Sequence, residues 1–322
     1  MAKLVTGGTG FIGGCLVDQL LERGEEVVVF DRAPTSRWDK AARKPKIVLG
    51  DITNWPEVMN VFKGNNFDCV YHLAAMLSLP SEANPWAAFQ VNVVGTMNML
   101  EAVRLFGPNK LILASTTGTF GLDINDQPAI TDTTLQRPTT MYGSCKVYNE
   151  LLGRFYRKKF GTDFRSVRIP SLVGPGIKTR AIGQYNSWMI QATAMGKPYE
   201  CYGPADRGLP LIYFKDTAAA FCAISDAPME RIKMLNYNIA GVNKSATPRE
   251  IEVAIKKLIP NAVVTYNPDP VVVQYFATMR FDALDDSKAR EEWGWQPKYN
   301  TIDAIVKDFV ELVRKNPELY GM

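Results

Sequence analysis

The sequence predicts an α/β fold, a doubly wound parallel sheet with a smaller C-terminal lobe. Three observations predict it. Short apolar runs alternate with longer helical patterns through the first half of the chain, the signature of successive βαβ units. The runs are apolar without a polar alternation, as strands covered on both faces require. A glycine-rich turn joins the first run to the first helical stretch, where such a sheet places a ligand-binding turn.

In chain order, the strands are expected around Leu4-Val5, Val27 to Phe30, Ile47 to Leu49, Cys69 to Tyr71, Leu111 to Leu113, Phe164 to Ile169 and Asn236 to Ile239. Helices are expected over Phe11 to Arg23, Trp55 to Phe62, Trp86 to Phe106 and Tyr142 to Phe160, and later over Gln184 to Met195, Asp216 to Ile224, Pro248 to Leu258 and Asp303 to Lys315. Gly24, Gly107-Pro108 and Gly161 are helix stops. Residues 171–212 are rich in Gly and Pro. The expected layout is a nucleotide-binding unit over 1–170, rejoined by about 213–241, and a substrate-binding lobe formed mainly by 171–322.

Composition narrows the function. The 322 residues carry a formal charge of +4, with 46% hydrophobic and 22% charged residues. That is ordinary for a globular chain and too weakly basic to argue for nucleic acid or an anionic membrane. No apolar stretch approaches a membrane span and no secretory leader is read at the N-terminus, so a soluble cytoplasmic protein is expected. Five cysteines without a C-x-x-C pair fit neither a disulfide framework nor a zinc ribbon. The single histidine, His72, leaves no multi-histidine metal site; no metal is expected, and proton transfer falls to Tyr, Lys, Asp or Glu.

The turn reads Thr6-Gly7-Gly8-Thr9-Gly10-Phe11-Ile12-Gly13. Its glycines permit a tight strand-to-helix turn and close approach of a pyrophosphate, which the N–H groups at the helix start would bind. Set between a strand and a helix, this predicts a Rossmann-type dinucleotide site with Gly7, Gly10, Phe11 and Ile12 at the phosphates. Asp31 ends the second strand, 18 residues past Gly13. Its carboxylate would accept from both adenosine ribose hydroxyls and repel a 2′-phosphate. Arg32 beside it would attract that phosphate, so NAD is favoured over NADP. Asp51-Ile52, after the third strand, is placed either to meet the adenine or to form a turn.

Tyr142 and Lys146 form a Y-x-x-x-K pair. At i and i+4 they share one helix face. An ammonium there would stabilise a phenolate and lower the tyrosine pKa, a charged nicotinamide ring would lower it further, and the phenolate would take a hydroxyl proton while hydride leaves the same carbon. Upstream, the strand Leu111 to Leu113 runs into Ala114-Ser115-Thr116-Thr117-Gly118. One of these hydroxyls is expected to orient the reacting oxygen, or to cap the strand end.

Together these parts resemble the extended short-chain dehydrogenase/reductase family, which includes NAD-dependent sugar-nucleotide epimerases and dehydratases. The match runs through the TGGTGFIG turn, Asp31, His72-Leu73-Ala74-Ala75, Asn92 within Val91 to Thr96, Ser115-Thr116 and the Tyr142/Lys146 pair. The resemblance places Thr116 at the catalytic Ser/Thr position beside Tyr142 and Lys146. It places Leu73, Ala74, Ala75 and Asn92 near the cofactor, makes His72 a packing residue, and implies a homodimer through the helices Trp86–Phe106 and Tyr142–Phe160. Within the family, Met76-Leu77-Ser78, Arg137-Pro138, Asn149 to Arg154, Leu209 to Tyr213 and Asp285 to Trp295 look like the short-chain L-threonine 3-dehydrogenases. That likeness implies NAD-linked oxidation of a 2-amino-3-hydroxy acid to the 3-ketone, with Ser78, Thr116 and Tyr142 at the substrate. The substrate loop departs from the pattern: it reads Lys178-Thr179-Arg180-Ala181-Ile182-Gly183. Thr179 is the corresponding threonine, and Arg180 is either an anion clamp or a solvated loop residue. Two other readings compete, a sugar-nucleotide 4-epimerase or dehydratase and a non-catalytic dinucleotide sensor.

Overall fold

The computed structural model describes residues 1–122 and 129–320. Its centre is a seven-stranded sheet of β1 (Ala2–Thr6), β2 (Val27–Asp31), β3 (Lys46–Leu49), β4 (Phe67–His72), β5 (Lys110–Thr116), β7 (Asp163–Ile169) and β11 (Asn236–Asn238). Every neighbouring pair is parallel, in the order β11-β7-β5-β4-β1-β2-β3. The order reverses between β1 and β4, so the crevice at their C-terminal ends is the switch point where such sheets bind ligands. Leu4, Val5, Val29, Val70, Leu111, Ile112 and Leu113 are fully buried, which explains the unbroken apolar runs.

The helices α1 (Phe11–Glu22), α2 (Trp55–Phe62), α5 (Gly95–Phe106), α6 (Met141–Phe160) and α8 (Phe214–Asp226) cover the sheet. The short α3 (Ser78–Ala83) and α4 (Pro85–Ala88) lie between β4 and α5. The long helix expected over Trp86 to Phe106 is interrupted: Phe89–Val94 is a π-helical turn between α4 and α5. Its Asn92 carbonyl accepts from both Thr96 Oγ1, at 2.6 Å, and Asn149 Nδ2, at 2.8 Å. Side chains bonded to a helical carbonyl are one way an irregular turn is stabilised within a helix.

A second sheet has the order β6-β14-β12-β10-β8, from β6 (Ala129–Ile130), β8 (Ser171–Val173), β10 (Leu209–Tyr213), β12 (Val242–Ala246) and β14 (Ala283–Leu284). A two-stranded pair joins β9 (Tyr199–Cys201) to β13 (Val264–Tyr266). Around them pack α7 (Tyr185–Ala194), α9 (Pro248–Leu258), α10 (Pro270–Thr278), α11 (Ser287–Trp293) and α12 (Ile302–Lys315). In the main sheet β11 pairs with β7, and α8 packs on α1.

Candidate active site

The glycine turn is built by close approach. Gly7 has φ +70°, and a Cβ there would lie 2.6 Å from the backbone N of Ala74. A Cβ on Gly13 would lie 2.1 Å from the Gly7 carbonyl oxygen. Neither position admits a side chain without moving main chain, so β1, β4 and α1 meet only because both residues are glycine. Gly10 is the N-cap of α1, and neither a side-chain cap nor a first-turn acid sits there. The free N–H groups and positive helix end suit a pyrophosphate. Phe11 and Ile12 are half-buried in the first turn, and Phe11 packs on Phe214 at 5.7 Å between ring centroids.

Asp31 sits at the end of β2, half-buried, its carboxylate accepting from Thr9 N at 3.0 Å and Ala33 N at 3.2 Å. These bonds fix the acid beside the turn, where it suits a ribose diol. Arg32 is exposed and approaches Asp51 at 3.7 Å. Asp51 Oδ1 caps its own turn, accepting from Thr53 N and Thr53 Oγ1 at 2.8 Å each. The Ile52 side chain packs in the core against Gly95.

Beyond β4, Leu73, Ala74 and Ala75 line the crevice as half-buried residues. His72 is 1% exposed; its Nδ1 lies 2.7 Å from Thr6 Oγ1 and its Nε2 lies 3.0 Å from Thr96 Oγ1. Thr96 donates to the Asn92 carbonyl, so it accepts from Nε2–H, and Nδ1 accepts from Thr6. Burial and then the Lys146 charge lower the His72 pKa to about 3. It is a neutral structural link. Asn92, expected near the cofactor, has both ends of its amide occupied by the Met76 main chain: Oδ1 accepts from Met76 N at 2.7 Å and Nδ2 donates to Met76 O at 3.0 Å. These bonds shape the turn before Ser78. Ser78 opens α3, which packs on the start of α6, where Glu82 accepts from Met141 N at 2.7 Å.

Tyr142 and Lys146 lie on one face of α6. Thr140 caps this helix, accepting from Gly143 N at 3.1 Å. Lys146 is 2% exposed, and its Nζ lies 5.6 Å from the Tyr142 ring centroid and donates to the Ala114 carbonyl at 2.7 Å. A Cβ on Gly143 would lie 2.3 Å from the Gly118 carbonyl oxygen. Gly143 therefore lets the turn after Thr116 lie directly on the first turn of α6.

The hydroxyls at the end of β5 have different partners. Ser115 is buried and donates to Glu150 Oε1 at 2.5 Å. Thr116 is half-buried, and its Oγ1 accepts from Gly118 N at 3.1 Å, leaving its O–H to donate. The expected lowering of the Tyr142 pKa by Lys146 is not found in the chain alone. Burial raises the phenol well above its ordinary value and lowers Lys146 to about 8, because desolvation penalises the charged form of each group.

In the loop 178–183, Thr179 is exposed. Arg180 is paired to Asp269 at 2.5 Å and lies 4.6 Å above the Tyr202 ring. Its side chain is exposed in the loop and paired there. The residues that pattern alone missed are the buried Glu150 and Arg168 and the half-buried Gln136, a polar cluster behind β5. Glu150 lies four residues after Lys146, a helical spacing that would have placed it on the same face.

Residues 3–240 match the family model for the NAD-dependent epimerase/dehydratase family. The chain belongs to that family. Its cofactor is NAD, and the turn, the free start of α1 and Asp31 fit that group. The L-threonine 3-dehydrogenase of Bos taurus, described as mitochondrial, is 32% identical over 309 residues, covering 94% of this chain and 80% of the bovine one. The crystal structure of L-threonine dehydrogenase from Phytophthora infestans superposes with a TM-score of 0.88 at 31% identity, covering 98% of this chain and 100% of that one. A UDP-glucose 4-epimerase from Thermotoga maritima, at 24% identity and a TM-score of 0.85 with 98% and 100% coverage, shares the fold. Among the described residues, no helix of this NAD-dependent enzyme is long and apolar enough to cross a membrane.

Proposed function

We propose that this enzyme oxidises a secondary alcohol, and that its substrate is L-threonine or a related 2-amino-3-hydroxy acid, which leaves as the 3-ketone. The observation that carries this reading is a convergence at one sheet edge. Tyr142 and Lys146 share a face of α6, Lys146 is bonded to β5 two residues before Thr116, and Ser78 begins the helix packed on the start of α6. Similarity to threonine dehydrogenases over nearly the whole chain supports the choice of substrate.

In this mechanism Thr116 Oγ1 donates to the substrate hydroxyl oxygen and holds it at Tyr142. The Tyr142 phenolate takes the hydroxyl proton on Oη as the C–O bond becomes a carbonyl. Lys146, fixed by the Ala114 carbonyl, supplies positive charge beside the phenolate. Ser78 and Thr179 contact the amino-acid end of the substrate. Arg180 reaches a carboxylate only by exchanging it for Asp269. NAD, which the glycine turn, the start of α1 and Asp31 would hold, would supply the hydride acceptor for the carbinol carbon.

Incubation of the purified protein with NAD and a panel of 3-hydroxy acids tests the reading. NADH should accumulate with L-threonine in proportion to ketone. Absence of turnover across the panel would reject the substrate class. The alternative is a sugar-nucleotide 4-epimerase, in which the same Tyr142, Thr116 and Lys146 act on a sugar hydroxyl. Conversion of a UDP-sugar without net NADH would favour it.

We further propose a homodimer through α5 and α6. Met97, Leu105 and Phe106 on α5, and Tyr148, Leu151, Phe155 and Phe160 on α6, are exposed. Apolar groups gathered on adjacent helices favour a partner surface.

A further inference from the structure

Behind the proposed catalytic face lies a buried charged cluster that the mechanism does not use. Glu150 is 1% exposed and Arg168 is 3% exposed. Arg168 donates to Glu150 through Nε at 3.0 Å and through a terminal nitrogen at 2.7 Å. Gln136 Nε2 and Ser115 Oγ complete the carboxylate's partners at 2.9 and 2.5 Å. The other guanidinium nitrogen donates to the Asp132 carbonyl at 2.9 Å, and the guanidinium lies 5.0 Å above the Phe120 ring. Every charge in the cluster is met, but such a pair adds little stability beyond what well-packed apolar side chains would give. What it supplies is directional.

The directions converge on the site. Ser115 and Arg168 are register partners on adjacent β5 and β7. Two consecutive residues at the end of β5 are each tied to α6 by one hydrogen bond: Ala114 O receives Lys146 Nζ, and Ser115 Oγ donates to Glu150. The next residue is Thr116. Glu150 also stands one helical turn beyond Lys146 and two turns beyond Tyr142.

We propose that Glu150, anchored by Arg168, is a positioning residue of this site: it fixes the end of β5 against α6, so that Thr116 is held at Tyr142, and keeps a negative charge behind Lys146. The proposal rests on the catalytic reading of Tyr142, Thr116 and Lys146 given above. The groups facing Lys146 are Tyr142, Cys145 and Glu150 from α6, neutral His72 from β4 and the Ala114 carbonyl from β5. Of these, Glu150 and the Cys145 thiol raise the Lys146 pKa, against the larger lowering by burial. Burial raises the Cys145 thiol pKa.

Two variants separate the parts. Ser115→Ala removes one tether and leaves the ion pair intact. Glu150→Gln removes the charge. Turnover of L-threonine with NAD, NAD affinity by fluorescence, thermal midpoint, and the titration of Lys146 by 13C NMR of lysine-labelled protein, assigned with Lys146→Arg, are compared with the parent. Ser115→Ala should lower kcat by about ten- to a hundredfold, the cost of a displaced reacting group, with NAD affinity within twofold. Folded Glu150→Gln should show Lys146 titrating at a lower pH than in the parent. Parent-like kcat in Ser115→Ala, or an unmoved Lys146 midpoint in folded Glu150→Gln, would overturn the proposal. If the parent makes no NADH from L-threonine, the substrate reading fails while the Lys146 titration still decides this one.

Discussion

His72 holds β1, β4 and the π-helical turn in one chain of hydrogen bonds, and it does so as a neutral ring. Burial depresses its folded pKa to about 3 from an ordinary 6.5. The neutral form is therefore favoured by folding: the stabilisation is complete above pH 6.5 and is lost as pH falls from there toward 3. Across that window the protein should lose up to about 1.4 kcal/mol of stability per pH unit from this one group. Since the chain has one histidine, imidazole NMR reads it without assignment. The resonance should stay at its neutral position from pH 8 to pH 4.5, and a midpoint near 6.5 would show that the ring is not buried as described. At this scale the sequence was partly legible. The spacing of Tyr142 and Lys146 placed both on one face. The roles of Ser115 and Asn92 were not legible, because each depends on partners far along the chain, Glu150 and Met76. The electrostatic balance at Tyr142 was also hidden, since spacing reports proximity and says nothing of desolvation.

At the scale of elements, the site depends on two close main-chain approaches. Gly13→Ala would force the new Cβ onto the Gly7 carbonyl. It should weaken NAD binding at least tenfold and cost about 1–3 kcal/mol of stability, as overpacking typically does; calorimetric titration and chemical denaturation measure the two effects. Gly143→Ala acts elsewhere, pushing the Gly118 carbonyl off α6. It should leave NAD affinity near the parent value and lower kcat, since the Thr116 turn is what moves. Equal loss of NAD affinity in both variants would contradict this division. Seven of the eight expected helices appear within two residues of their predicted bounds at each end, and all seven expected strands appear. Helix α8 begins two residues earlier and ends two later than expected. The expected 86–106 helix was misread at its middle. A π-helical turn keeps helical composition, and the tertiary bonds to Asn92 and its carbonyl that accompany it leave no local pattern. The short α3 and α10 were missed; the six residues of α3 are too few to show a period.

For the whole molecule, the exposed apolar residues on α5 and α6 carry the dimer proposal. Light scattering after size exclusion should give about twice the 35.9 kDa chain mass. Leu151→Lys with Phe155→Lys should return the chain mass, and a parent protein that elutes with the mass of one chain would reject the interface. The order of the central sheet follows from the alternating pattern of the first half of the chain. The second sheet was not legible, because its strands are two to five residues long and pair across large sequence separations. The substrate loop lies in that less legible part, and the pairing of Arg180 with Asp269, 89 residues away, left no local pattern there. The central claim is that Tyr142 is the proton acceptor for an alcohol oxidised by NAD. Its most direct test is NADH formation from L-threonine, followed at 340 nm in the parent and in Tyr142→Phe with NAD affinity measured in parallel. The account predicts unchanged NAD binding and a loss of kcat of about 10²- to 10⁴-fold, the contribution of a positioned acid–base group. A Tyr142→Phe enzyme that turns over at the parent rate would contradict it.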